Sequence, residues 1–584
     1  MIPRAATNAK DRSHGRLKEL QSVLDSPNNQ PAILADTVEP NSPAAIEQSV
    51  YHGEGSVKSI ARLVEDAVLF KTPEETKVGA EFHDVIPKSD NGRLNIRPAS
   101  FSGPEESGPL LKSYLNGSHQ LHPFLERSKL LIELETVHSE GTPHNDPSAF
   151  RLFMVFAIGA ASMTRSGKPH PTSSFSYYAA AMDCGRANLG LSSLEDIQAI
   201  LLILIFSIHH DVGIGKIWDL ARLAMRICVE NKYHRQESLP RDPMQAQIQK
   251  RVFWACYIND RHSSSMLGRP LALQDEEIDV EVPLDADDDL VASGNVSSQF
   301  MRGFSEVLIQ LRHIRLRQIT SCMRVHLFKL NPETPCSTIH SMGRQTLSRL
   351  DHWRSSYPLL LEPRSVYESK HWRDLNFERE QLRCFRFLVL LEKRRNKELI
   401  GPGSYLDLCL KAASQVAALY RQIQGTDKLV MNWTCVHDVL NAGFTALYCG
   451  LVHGDLERPW NDSVESWNQA HCLVLDSITS ITETLTYISQ RWAVVEKHLR
   501  VFKMLSGRVS GAMQARHLLI EQSLGLQEQA QLGDAEPNVP EFDAGLREET
   551  IPLENLDWSH VDWDHVDWEA ILGATNFQEE AWNR

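Results

Sequence analysis

The sequence predicts an all-α protein: a large multi-helix domain between a disordered N-terminal arm and an acidic C-terminal tail. Three observations carry this. Between about Leu121 and Leu526 apolar residues recur at three- and four-residue spacing, the period of a helix face. The two-residue alternation of a strand surfaces only briefly, in "EEIDVEVP" at Ile278, Val280 and Val282. The two ends differ in composition from this middle, which sets the expected boundaries at 1–115, 116–525 and 526–584. At 584 residues and 42% apolar content, the chain has enough apolar surface for a sizeable core.

Residues 1–115 are rich in Pro, Ser, Asn, Gly and Glu and hold neither Trp nor Cys, so little apolar burial is available to offset the entropy of ordering them. Within this arm, residues 16–25 place Leu17, Leu20 and Leu24 at heptad spacing. One reading is the start of a dimer coil, hence a homodimer; one and a half heptads do not decide it.

In the middle, "SSLEDIQAILLILIFSI" sets Ser192 or Ser193 three residues ahead of Glu195 or Asp196, a capping-box spacing, and then turns almost wholly apolar, as a central buried helix does. "KIWDLARLAMRICVE" puts Ile217, Ala221, Ala224 and Cys228 on one smooth face. Further helices are expected at 148–165, 245–266, 300–328, 371–398, 405–424, 433–451 and 466–492. The helix at 245–266 has an apolar face of Ile248, Val252, Ala255 and Ile258, widened by Phe253 and Tyr257. Gly268 and Pro270 stop it, because Gly accepts a left-handed cap and Pro cannot continue the helix. Arg251, Asp260 and Arg269 are charges in apolar surroundings, expected to pair with one another or cap helix ends rather than hold a ligand.

The order of residues in "QKRVFWACYINDRHSSSMLGRPLALQDEEIDVEVP" resembles the fungal-specific transcription factor domain, or middle homology region, of fungal zinc-cluster regulators. The matching positions are Arg251, Val252, Phe253, Trp254, Asp260, Gly268, Arg269 and Pro270, then Ile278, Asp279 and Pro283. Upstream, "LHPFL", "SLEDIQAILLILIFS", Trp218, Ala221, Ala224, Met225 and Arg226, and "YHRQ" with His234 and Arg235 agree as well, so the resemblance covers about residues 116–500. It implies a helical regulatory domain in a nuclear transcription regulator, often one governing metabolic or secondary-metabolite genes. Such regulators carry an N-terminal zinc cluster of six cysteines, but residues 1–183 here contain no cysteine. No zinc ligands for such a cluster, and no other cofactor or metal site, are therefore expected in this chain. Either the cluster lies upstream of Met1, or DNA is reached through a partner.

The tail, Leu526 to Arg584, has fifteen acidic residues against two arginines, so it holds −13 of the chain's net −15. In "LDWSHVDWDHVDWEAIL" the tryptophans recur every five residues, a period that makes no single helical or strand face. Trp558 with Val561, Trp563 with Val566, and Trp568 with Ile571 and Leu572 form local apolar pairs fenced by carboxylates. This alternation marks a disordered activation segment that folds into a coactivator groove. The competing reading is a C-terminal helix docked back on the body.

Enzyme signals are weak. "DVGIGKIW" lacks the first Gly of a phosphate loop and the Ser or Thr after its Lys, and "DADDD", Asp285–Asp289, follows Pro283 as a solvated turn. His209, His210 and Asp211 suit a helix C-terminus without a metal. "EKRRNK", at 392–397, reads either as a nuclear import signal or as an exposed helix face. The longest apolar run, Ile197–Ile208, is short for a membrane span, and the N-terminus lacks an apolar leader. The ten cysteines lie at or beyond Cys184 without a CxxC pair, as for buried thiols in a reducing compartment. The expectation is a nuclear regulator without a catalytic role and without a membrane, whose tail meets coactivators. A helical effector-binding or scaffold protein is the alternative.

Overall fold

The computed structural model describes residues 97–101, 103–140, 147–185, 192–210, 214–298, 304–328, 335–357, 365–394, 405–426, 429–453 and 464–532. Helices make up its regular structure, and among the described residues there is no strand. The segment containing Ile278 and Val280 is a short 3-10 turn followed by extended chain. Leu17, Leu20, Leu24 and the whole tryptophan-bearing tail lie outside the described residues.

The helices run, in chain order, α1 (Pro104–Asn116), α2 (Ser118–Leu121), α3 (Arg127–Glu140), α4 (Pro147–Arg165), α5 (Ser174–Gly185), α6 (Leu194–Ile208), α7 (Ile214–Glu230) and α8 (Pro243–Leu267). They continue with α9 (Asp288–Ser293), α10 (Leu308–Phe328), α11 (Cys336–Ser355), α12 (Lys370–Arg394), α13 (Tyr405–Gln424), α14 (Trp433–His453), α15 (Val464–Arg491) and α16 (Glu496–Leu532). Helices α1 and α4–α8 pack among themselves, as do α12–α16, and α10 touches both groups through α8 and α12. A continuous core runs through both, from Leu110 to Ile520, with a smaller cluster of Ile309, Leu316, Leu350, Trp353 and Phe377 between α10, α11 and α12.

Local chemistry explains the ends of the two central helices. At α6 the capping box belongs to Ser193 and Asp196: the Asp196 N–H donates to Ser193 Oγ at 3.1 Å, and the Ser193 N–H to an Asp196 carboxylate oxygen at 2.9 Å. Helix α8 starts with Asp242 accepting from the Gln245 N–H at 2.8 Å and with Pro243 in the first turn. It ends at Gly268, whose φ of 66° is the left-handed cap expected from the sequence. Helices α4 and α14 are long and apolar enough to cross a membrane, but 67% and 83% of their apolar windows are buried within the protein.

Two expectations change. The helix expected from residue 300 begins at Leu308, with residues 299–303 outside the described set. More consequentially, the last part of the arm assigned to 1–115 is helix α1, with Leu110, Leu111, Tyr114 and Leu115 buried in the core. Phe101 just ahead of it packs against Phe153, with ring centroids 4.1 Å apart. Polar composition hid a short apolar face.

Helix α1 crosses α4 at Gly159, where the backbones approach so closely that a Cβ would run into the Leu110 carbonyl. Ser113 Oγ donates to the Gly159 carbonyl at 3.1 Å in the same crossing. Because the obstacle is main chain, it cannot rotate away. Gly159→Ala is expected to destabilise the protein by about 1–3 kcal/mol through overpacking, read as a lower urea midpoint at an unchanged m-value.

Candidate functional site

Helix α8 carries most of the residues singled out in the sequence, and it is buried nearly all round, polar side chains included. Arg251 is 2% exposed and Asp260 is fully buried, so each needs a partner of opposite charge. Of the two alternatives expected, mutual pairing or helix capping, the structure gives Arg251 and Asp260 partners other than each other. Arg251 reaches Asp288 at 2.5 Å in the first turn of α9, while its carbonyl accepts from Gln310 Nε2 at 2.9 Å. Asp260 pairs with the adjacent Arg261 at 2.9 Å and with Arg222 of α7 at 3.6 Å, and accepts from the Ala272 N–H at 3.1 Å. Arg261 extends this chain to Asp275 at 2.8 Å and lies over the Tyr257 ring at 3.8 Å, while Tyr257 donates its hydroxyl proton to Asp275.

The Gly268–Pro270 turn is held by main-chain carbonyls. Arg222 donates to the Pro270 carbonyl at 2.6 Å, Ser264 Oγ to the same oxygen at 3.1 Å, and Arg324 of α10 to the Arg269 carbonyl. The Trp218 ring lies against both Arg222 and Arg269, at 4.9 and 4.4 Å, and its Nε1 donates to Ser264 Oγ at 3.2 Å. Phe253 fills the core, and Trp254 Nε1 donates to the Glu281 carbonyl at 3.0 Å. Arg226 does not join this assembly: it is 61% exposed and faces Glu230 on its own helix.

Two motifs that are distant in sequence meet here. The Asp279 and Val280 N–H groups both donate to the His234 carbonyl at 3.1 Å, and Asp279 accepts from the Gln236 N–H at 2.7 Å. The run Asp285–Asp289 is likewise more than a solvated turn. Asp285 accepts from Ser305 Oγ at 2.5 Å and Asp287 from the Glu306 N–H at 2.9 Å, while Asp288 neutralises Arg251.

A second buried network joins α10, α12 and α14, and the sequence reading missed it. Arg317 pairs with Glu380 at 2.8 Å, Arg379 with Asp438, and Arg383 with both carboxylates. Burial alone would raise Glu380, but Arg383, Arg317 and Arg379 hold its pKa below the ordinary carboxylate value. Its signal was present in "FEREQLRCFRF", where charges interrupt an apolar helical pattern with no gap in the helix.

Two cavities lie among these helices. One, of about 60 Å³, touches Gly268 and the arginines of α10 and α12. The other, of about 100 Å³, is lined by His122, His209, His262 and His313, together with Arg317 and Arg379. Burial pushes His122 down to about 4 and His209 to about 3, so both are neutral at physiological pH. The cation at the end of α6 is therefore Arg165, donating to the His209 carbonyl at 2.6 Å, and not His209 itself. Among the described residues no group of three or more His, Cys, Asp or Glu side chains is arranged to hold a metal.

Residues 111–357 match the fungal specific transcription factor domain. Among its relatives, the chain is 22% identical over 424 residues to Protein STB5 of Saccharomyces cerevisiae, covering 68% of this chain and 53% of that protein. It is 25% identical over 306 residues to the uncharacterized transcriptional regulatory protein YLR278C of the same yeast, covering 51% and 22% respectively. Against the yeast Pyrimidine pathway regulatory protein 1 it is 22% identical over 346 residues, covering 57% and 37%. The chain thus spans about half the length of these relatives or less. No solved structure matches it significantly.

Two outcomes are expected. Asp288→Ala leaves Arg251 charged and buried, and should cost about 3–5 kcal/mol in chemical unfolding; Arg251→Met added to it should recover part of that loss. The second concerns acid. His119, His122, His209, His210, His313 and His498 are all buried, with pKa values lowered chiefly by burial. Below about pH 6.5 the unfolded chain takes up protons that the folded chain does not, so stability falls as pH falls, by roughly 1.4 kcal/mol per histidine per pH unit. The urea midpoint should drop steeply between about pH 6.5 and 5.

Proposed function

We propose that the chain is the regulatory body of a nuclear transcription regulator, acting as an activator or co-regulator of a metabolic gene set. The match of residues 111–357 to the fungal specific transcription factor domain carries this reading. The resemblance of 68% of the chain to a yeast protein, and the regulatory names of the other two relatives, support it. The assignment to metabolic genes leans on the pyrimidine pathway named for one relative. The motif residues serve as packing and charge-pairing groups of a buried junction, which fits a regulatory domain better than a reaction centre.

In this reading the middle domain is the scaffold and the acidic tail its output. Trp558, Trp563 and Trp568 with Val561, Val566, Ile571 and Leu572 are the residues offered to a coactivator groove. DNA contacts come through a partner or through a cysteine cluster outside this chain, and Leu17, Leu20 and Leu24 supply a dimer seam. The tail is tested by fusing residues 526–584 to an unrelated DNA-binding domain. Reporter output should rise at least severalfold and collapse when all three tryptophans become Ala; output indifferent to that replacement would overturn the assignment.

The alternative, an effector-binding protein, is favoured by the cavities inside the helical body.

A further inference from the structure

The larger cavity, of about 100 Å³, is a cleft partly open to solvent, with walls drawn from α2, α6, α8, α10, α12, α13 and α14. Leu121, Ile205, Ile208, Ile258, Leu375 and Ile423 make much of that wall apolar. No Asp, Glu or Lys is among its lining residues, and both its arginines are already in ion pairs, Arg317 with Glu380 at 2.8 Å and Arg379 with Asp438. Its histidines are uncharged at neutral pH. Burial holds His122 at about 4 and His209 at about 3, and burial with the nearby arginines holds His262 and His313 well below the ordinary value. The wall thus offers hydrogen bonds rather than free charge. Arg317 donates to His262 Nδ1 at 3.3 Å, and because a guanidinium only donates, the ring proton of His262 sits on Nε2. That N–H and the Trp372 Nε1–H are buried and have no acceptor among the described residues. His122 Nδ1 and His313 Nε2 are unpaired in the same way, and the His313 ring stacks on Trp372 with centroids 6.3 Å apart and planes at 18°.

A buried N–H without an acceptor costs free energy comparable to a lost hydrogen bond. An apolar cleft with a few polar groups of defined sense is the usual make-up of a small-molecule site. A charged ligand would leave water without meeting a free counter-ion on this wall, whereas a neutral carbonyl loses less on leaving water and supplies an acceptor. At roughly 10–15 Å³ per water, the space holds roughly seven to ten water-sized groups. We infer that this cleft binds a compact, uncharged, carbonyl-bearing molecule, whose oxygen atoms accept from Trp372 and His262 and whose carbon skeleton lies against the leucines and isoleucines. The lining comes from both helical groups, so a ligand there favours one arrangement of the two over others. The inference rests on the effector-binding alternative, to which it gives a site and a ligand class, and it does not depend on the tail.

The test uses the full chain at pH 7.5 and three probes of similar size: acetophenone, neutral with a carbonyl acceptor; benzoate, charged; and ethylbenzene, without a polar atom. Ligand-observed NMR titration should give saturable acetophenone binding, with a Kd on the order of 1 mM for so small a molecule and both other probes at least tenfold weaker. Trp372→Phe keeps an aromatic ring but removes the N–H. It should weaken acetophenone at least threefold and leave ethylbenzene unchanged, a split that general loss of packing does not produce. Thr434 is half-buried on the same wall, and Thr434→Phe fills the space; acetophenone binding should disappear while the helical circular dichroism is retained. Absence of saturable acetophenone binding, or equal binding in the parent and both variants, would overturn the inference, and so would a preference for benzoate or ethylbenzene. None of these readouts involves transcription, so failure here is distinct from failure of the tail in the reporter assay.

Discussion

Burying a helix that carries Lys250, Arg251, Asp260 and Arg261 costs more than apolar packing returns unless each charge finds a partner, and most of the middle of this protein is arranged around that requirement. Asp275, Glu281 and Asp288 come from the segment that follows α8 and runs into α9, and Arg222 comes from α7 before it. The connecting segment from Leu271 to Ser293 is therefore not a passive loop. It lies against α8 because its carboxylates neutralise the helix, and its own backbone is in turn fastened to the His234 carbonyl.

The same constraint recurs in α12, where Arg379, Glu380, Arg383 and Arg386 lie among Leu382, Phe385 and Leu388. Removing one member of such a network leaves a charge without its counterpart. Replacing the whole set with apolar residues need not destabilise the fold at all. Charge retained at a buried junction is better suited to defining one arrangement of two helical groups than to holding them tightly. That suits a body whose two groups meet along α8, α10 and α12, with a cavity at the meeting point.

Much of the architecture was legible from short-range chemistry. Ser193, Asp196, Pro243 and Gly268 mark helix ends because caps and left-handed turns are decided within a few residues. The partners of Arg251 and Asp260 were not legible, since Asp288 lies 37 positions from Arg251 and such pairings are settled by the path of the chain. Helix α1 was missed for a different reason. "PEESGPLLKSYLN" contains two prolines and a glycine and reads as a linker, yet Leu110, Leu111, Tyr114 and Leu115 lie on one face, and Gly159 on α4 lets that face approach. The missing information was the shape of the receiving surface.

Helix α16 has 37 residues, and among its described side chains Ile520 is the last buried in the core, twelve positions before the helix ends at Leu532. At 1.5 Å per residue those twelve positions carry the chain about 18 Å along the axis before the acidic segment continues. The last core side chain is thus separated from residue 532 by about three turns of helix.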